Sequence, residues 1–295
     1  MSSKFLCLIY GRGWVSEFFV REFQARGLAF KQGEARVDNE EALAAELDSV
    51  QPTHVLGCMG RTHGPGTPTI DWLEKRLPIN LRDNLLAPMN LALMCPSRNI
   101  HYTYIGTGCI FEYDADHQEF DVDTGFTEGS LPNFFGSGYS AVKGITDRLM
   151  HHFQTQGVMN VRIRMPISCR DSPRNFISKI VSYAKLVNIQ NSMTVLEDIV
   201  PAVVDLMLEK WSGTLNGTNP GTISHNEIME MYKELVDPSK TWENFTVEEQ
   251  SKILASARSN NRLDTQLLES HFPQIPEIHV AVREALKNWF PASDQ

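Results

Sequence analysis

An apolar run over residues 5–10 stops at Gly11-Arg12-Gly13 and passes straight into an amphipathic segment that begins Trp14-Val15-Ser16. A short run of this kind bounded by glycine reads as a strand buried on both faces, and a helix opening directly behind it has to cross back over the sheet. Similar runs recur at 54–59, 101–106 and 161–165, with amphipathic segments between them. The alternation predicts an α/β fold built on a doubly wound parallel sheet. Helices are expected over 14–27, 40–50, 79–94 and 139–156, where apolar residues return about every 3.6 positions, and a second strand over 28–32. Beyond Pro166 the pattern loosens into mostly helical segments with polar loops at 216–222 and 256–261.

Composition removes several function classes. In 295 residues, 42% are hydrophobic and 21% charged, which is the balance of a globular chain with a real core. The formal net charge is -9 with no basic run, so a general nucleic-acid footprint is not expected. The 5 cysteines are odd in number, widely spaced and without CxxC, which argues against disulfides and structural zinc, and no metal site is expected. The first apolar run is too short for a signal core or a membrane span. A reducing, cytoplasmic setting is therefore expected, with no membrane partner.

The glycines Gly11 and Gly13 stand where a dinucleotide fingerprint needs them, after a strand and at the mouth of a helix, and Ser16 replaces the third glycine. Backbone N–H groups there would receive a pyrophosphate. No acidic residue closes the second strand, whereas Arg36 stands a few positions on; a guanidinium suits a ribose 2'-phosphate and hence NADPH, although a solvated surface arginine would look the same. The expected organisation is a dinucleotide-binding domain over 1–166 and a mainly substrate-binding region over 167–295, with some late segments returning to the first domain.

Tyr139-Ser140-Ala141-Val142-Lys143 puts a phenol and an ammonium on one helix face, one turn apart. A phenol has a pKa of about 10, and a nearby positive charge favours its ionised form and eases proton transfer to a carbonyl. Thr107-Gly108-Cys109 follows the 101–106 strand at the sheet edge where such folds bind ligands, so Thr107 can share the substrate carbonyl with Tyr139. For Cys109, as for Cys58 and Cys95, the plain reading is a small buried hydrophobe.

Together, Gly11 to Ser16, Thr107-Gly108-Cys109-Ile110-Phe111-Glu112-Tyr113-Asp114, Pro132-Asn133-Phe134, the Tyr139/Lys143 pair, Arg162-Ile163-Arg164-Met165-Pro166-Ile167, Asn219-Pro220-Gly221 and Arg258-Ser259-Asn260-Asn261 resemble the nucleotide-rhamnose synthase epimerase/reductases. These are extended short-chain dehydrogenase/reductases of plants and giant viruses. The resemblance implies a bifunctional enzyme: 3,5-epimerisation of a nucleotide 4-keto-6-deoxyglucose, UDP favoured, then NADPH reduction of the 4-ketone to nucleotide-L-rhamnose. It implies Tyr139, Lys143 and Thr107 for reduction and Cys109 with Lys179 for epimerisation; Lys185 is the fallback for Lys179, whose plain reading is a solvated helix lysine. The expected cofactor contacts are Gly11, Arg12, Gly13, Trp14, Val15, Arg36, Gly60, Asn84, Tyr139, Lys143 and Met165. The expected substrate contacts are Thr62, Cys109, Asn175, Phe176 and Arg258. A homodimer is the family expectation. Two other readings fit the same residues: a single-function 4-keto-reductase of a related sugar such as dTDP-4-keto-rhamnose, and a non-catalytic regulatory subunit.

Overall fold

The computed structural model describes residues 4–291. Residues 1–3 and 292–295 lie outside the described residues. The elements follow as β1 Cys7–Tyr10, α1 Trp14–Ala25, β2 Phe30–Gln32, α2 Glu40–Val50, β3 His54–Gly57, α3 Leu77–Leu81, α4 Ala87–Met94, β4 His101–Thr107, α5 Gly138–His151 and β5 Val158–Ile163. Then come α6 Phe176–Val181, β6 Lys185–Leu186, α7 Leu196–Leu208, β7 Gly213–Asn216, α8 His225–Leu235, β8 Glu243–Asn244, α9 Val247–Ser251, α10 Gln266–His271 and α11 Ile278–Lys287. Among the described residues two compact units form: residues 4–110, 131–162 and 200–215 make the first, and 111–130, 163–199 and 216–291 the second. Among the described residues no helix is long and apolar enough to cross a membrane.

The first unit carries a six-stranded sheet in the order β2-β1-β3-β4-β5-β7. β1 runs parallel to both β2 and β3, and β3 parallel to β4. The order reverses at β1, so the crevice between the carboxyl ends of β1 and β3 is the switch point of a doubly wound sheet. One face of the sheet packs Leu8, Tyr10, Val55, Tyr102 and Tyr104 against Leu43, Leu47, Leu91 and Met150 from the helices. The late segment 200–215 belongs to this unit, where His54 Nε2 lies 3.0 Å from the Met207 carbonyl and His101 Nε2 2.7 Å from that of Trp211.

Three expected elements differ from the structure. The helix expected over 79–94 is interrupted by a π-helical turn, Arg82–Leu86, in which the Ala87 N–H reaches the Arg82 carbonyl. Pro88 is the cause: it has no N–H for the Asn84 carbonyl, which accepts instead from Thr146 Oγ1 of α5 at 2.8 Å. The strand expected over 161–165 begins earlier and ends earlier, at Val158–Ile163, and α5 stops at His151 rather than at 156. Behind α5, the fully buried Arg162 guanidinium grips Asp147 at 2.8 and 2.7 Å while Asn160 donates to the same carboxylate at 2.8 Å. Removing one partner of such a pair typically costs about 3–5 kcal/mol.

The second unit has its own core, in which Ile177, Ile180, Met193, Ile223, Ile228, Ile278 and Val282 knit α6, α8 and α11 together. Ser224 and Glu227 close a capping box on α8, and Glu277 caps α11. Arg164, 1% exposed, donates to the Ser259 and Asn261 carbonyls and to Asn191 Oδ1, each at 2.9 Å, and so fixes the 259–261 turn.

Candidate active site

The switch-point crevice in the first unit is an open cleft of about 320 Å³ lined by Gly11, Arg12, Gly13, Arg36, Asp38, Cys58, Met59, Gly60, Arg61 and Asp83. Gly11 has φ +109°, and a Cβ there would fall 2.7 Å from the Cys58 carbonyl carbon, so only glycine fits. A Cβ on Gly13, in contrast, would meet no protein atom within 4 Å. The space beside Gly13, the N-cap of α1, is therefore open on the side away from the protein. Ser16, 3% exposed, turns its hydroxyl back onto the Gly13 carbonyl at 2.6 Å, which keeps the helix start compact without the third glycine.

Charge at this cleft runs against the acidic average of the chain. Arg36 pairs with Asp38 at 2.9 Å, Arg61 with Asp83 at 2.5 Å, and Arg82 with Asp83 at 2.8 Å and Asp38 at 3.6 Å. With Arg12, four arginines face two aspartates, a local surplus that suits a phosphorylated ligand. Asn84 shapes the cleft rather than lining it: its Oδ1 accepts from the Arg61 N–H at 2.9 Å and its Nδ2 donates to the Arg61 carbonyl at 3.0 Å. Trp14 and Val15 begin α1, where the Trp14 ring stands edge-on to Phe18 at 5.3 Å. Thr62 is exposed beside His63, at 3.3 Å.

Tyr139 and Lys143 sit on the inner face of α5, 8% and 5% exposed. Ser137 caps that helix, accepting from the Ser140 N–H at 3.0 Å. Thr107 ends β4, and its Oγ1 accepts from the Cys109 N–H at 3.1 Å. Burial, then the nearby Cys109, push the Tyr139 hydroxyl up, while a hydrogen bond with Thr107 draws it down; the balance leaves a protonated phenol at neutral pH, which is a proton donor. Burial lowers Lys143 to about 8 against the opposing pull of Asp147 and Cys109. Lys143 Nζ donates its hydrogen bond to the hydroxyl of Tyr104. Thr107, Cys109, Tyr139 and Lys143 are thus neighbours in the first unit.

The remaining expected residues, Lys179, Met165, Asn175, Phe176 and Arg258, belong to the second unit. Lys179 is half-buried in the last turn of α6, lowered first by burial and then by Arg174. Lys185, the fallback, is exposed and paired with Glu243 at 3.1 Å. Asn175 caps α6, accepting from the Ile177 N–H at 3.1 Å, and donates to the Ser168 and Arg170 carbonyls at 2.7 and 2.8 Å. Phe176 meets His225 edge to face at 5.4 Å, Arg258 donates to Ser256 at 2.9 Å, and Met165 has the unusual φ of 40°. Among the other thiols, burial pushes Cys7, Cys58 and Cys95 well up, and burial together with Glu197 raises Cys169 to about 11.

Sequence reasoning missed two parts of this site. The Cys58-Met59 wall, with Arg61 and Asp83, was accessible from the switch-point rule, since residues directly after the strand next to β1 must face the same crevice. Tyr104 carried no signal, because a tyrosine inside an apolar strand reads only as core.

A parallel sheet with an open, glycine-lined cleft at its switch point and a Tyr/Lys pair on the helix after β4 defines an extended short-chain dehydrogenase/reductase. No family model matches the chain. The crystal structure of the UDP-rhamnose synthase from Acanthamoeba polyphaga mimivirus superposes with a TM-score of 0.93 at 44% identity, covering 97% of this chain and 100% of that one. A bifunctional dTDP-4-dehydrorhamnose 3,5-epimerase/dTDP-4-dehydrorhamnose reductase of Arabidopsis thaliana is 40% identical over 279 residues, 94% of this chain and 91% of that protein. A trifunctional UDP-glucose 4,6-dehydratase/UDP-4-keto-6-deoxy-D-glucose 3,5-epimerase/UDP-4-keto-L-rhamnose-reductase of the same plant is 41% identical over 281 residues, but the chain spans only 41% of its length. The chain belongs to the epimerase/reductase family of nucleotide-rhamnose synthesis.

Proposed function

We propose that the protein converts UDP-4-keto-6-deoxyglucose to UDP-L-rhamnose in two steps, 3,5-epimerisation and then NADPH-dependent reduction of the C4 ketone. The observation that carries this reading is the grouping of Thr107, Cys109, Tyr139 and Lys143 in a unit whose cleft has an open glycine cradle and an arginine surplus. The first unit is the dinucleotide-binding part and the second the substrate-binding part. Gly11, Gly13, Arg12 and Arg36 would hold NADPH, which when bound supplies the hydride. Tyr139, protonated at neutral pH, gives its proton to the C4 oxygen as charge develops there, and Thr107 shares that oxygen. The Lys143 ammonium favours the phenolate left behind. For epimerisation the ketone acidifies the hydrogens on C3 and C5; Cys109 and Lys179 serve as the proton-transfer pair, with the enolate between removal and return of each proton. Asn175, Phe176 and Arg258 position the nucleotide sugar, and a guanidinium at Arg258 suits its diphosphate.

Two further readings accompany this one. Leu86 and Leu93 beside and on α4, and Ile145 and Leu149 on α5, are 53%, 60%, 49% and 38% exposed on helices that pack together. An apolar patch of this kind supports a homodimer closed over those helices. Free cysteines throughout support a reducing cytoplasmic setting.

The test is direct. Purified protein mixed with NADPH and UDP-4-keto-6-deoxyglucose should oxidise NADPH and yield UDP-L-rhamnose. Tyr139→Phe should stop reduction yet still let solvent deuterium into C3 and C5. Absence of NADPH oxidation with this substrate, while another nucleotide 4-keto sugar is reduced, would overturn the assignment.

A further inference from the structure

The Lys143 ammonium is buried, and the groups around it differ in what they can offer. Asp147, one turn on along α5, has its carboxylate gripped by Arg162 and Asn160. Glu74 faces the start of the same helix and accepts from the Gly138 N–H at 2.9 Å. Cys109 lies near it, and Tyr139 lies one turn before it. The group that Lys143 Nζ bonds is Tyr104, 1% exposed on β4, whose ring centroid is 4.7 Å from the nitrogen.

We propose that Tyr104 is a positioning residue of the reduction: its buried hydroxyl accepts a hydrogen bond from the Lys143 ammonium and fixes that charge on the β4 side of α5. This rests on the reading that Tyr139 and Lys143 carry the reduction. A neutral acceptor is the right chemistry for that task. A carboxylate at this place would neutralise the ammonium and spend its field, whereas a phenol oxygen satisfies one N–H and leaves the net charge free to act on Tyr139 and a bound dinucleotide. The cation also lies near the face of the same ring, a second neutral contact that steadies it without cancelling it.

Replacing the hydroxyl removes an acceptor from the charged form of a buried lysine, so Tyr104→Phe makes the ammonium harder to keep. Measured with saturating NADPH and a 3,5-epimerised 4-keto substrate, the basic limb of the kcat profile should move to lower pH by about one unit. At pH 8.5 that is a loss of roughly fivefold or more; at pH 6.5 kcat should stay within about twofold of wild type, with KM for the sugar unchanged. A limb that superposes on the wild-type curve overturns the proposal. If Tyr104→Phe fails to fold, 3-fluorotyrosine in place of Tyr104 keeps the shape while weakening the oxygen as an acceptor, and must move the limb the same way. Tyr139→Phe separates the two levels. Wild-type reduction in Tyr139→Phe would overturn both the reading and the proposal, whereas loss of reduction there with an unshifted limb in Tyr104→Phe overturns the positioning role alone.

Discussion

A Cβ on Gly11 would stand 2.7 Å from the carbonyl carbon of Cys58, so β1 and β3 leave the sheet at the switch point with one bare backbone against the other. Gly11→Ala must therefore move that strand end, and at φ +109° the alanine adds strain of about 1–3 kcal/mol. Gly13→Ala meets nothing in the protein and, as a poorer N-cap for α1, should cost only about 0.5–1 kcal/mol, yet bind NADPH about tenfold or more weakly because its methyl enters the pyrophosphate cradle. Thermal melts and calorimetric titration with NADPH read the two effects. Wild-type NADPH affinity in Gly13→Ala would remove the cradle from this cleft.

Arg36 and Asp38 form a two-point pair at 3.0 and 2.9 Å on the rim of the same cleft. A pair that exposed contributes little to stability, so the arginine is available to a 2'-phosphate. Arg36→Ala should raise KM for NADPH about tenfold or more and leave KM for NADH nearly unchanged. Equal changes for the two cofactors would take Arg36 out of this role.

Cys109→Ser and Lys179→Met should slow deuterium entry at C3 and C5 by about 10²-fold or more, the scale of lost acid-base catalysis. Both variants should still reduce a substrate supplied already epimerised. Lys185→Met, which breaks an exposed pair with Glu243, and Cys58→Ser should exchange at the wild-type rate. Wild-type exchange in Cys109→Ser would return that cysteine to the core and the protein to a plain reductase.

His279 joins the caps of two helices in the second unit, with Nδ1 2.7 Å from Glu277 and Nε2 3.2 Å from Glu227. Burial opposes the charge on His279, but the two carboxylates prevail and its pKa is raised above 6.5. Its contribution to stability is therefore complete below 6.5 and lost as pH rises through the folded value. Glu227 is held down to about 2 by its Ser224, Gln190 and His279 hydrogen bonds despite its partial burial, so its contribution is present above 4.5 and lost on acidification toward 2. Wild type should exceed His279→Gln in melting temperature by the most near pH 6 and converge with it at alkaline pH. A gap that does not change with pH would mean the contact acts by packing alone.

The order of strands and helices was legible because buried parallel strands are short unbroken apolar runs and the helices between them have one apolar face. Ends were less so. The break at Arg82–Leu86 follows from Pro88, yet its accommodation depends on Thr146, distant in sequence, taking the carbonyl that the proline leaves. That Tyr139 and Lys143 share one face of α5 was legible because they lie one helix turn apart, a purely local constraint.

By itself, then, the sequence determined the alternating α/β order, the strand that must end at Gly11, and the shared face of Tyr139 and Lys143 on α5, all of which depend on neighbours along the chain. Tertiary structure decided which groups partner those side chains. Lys143 points to Tyr104 rather than to Tyr139, four arginines gather over two aspartates at an otherwise acidic chain's cleft, and Lys179 is half-buried where Lys185 is in solvent. The reason is physical: desolvation and hydrogen bonding depend on atoms brought together from distant positions, and no local pattern encodes them.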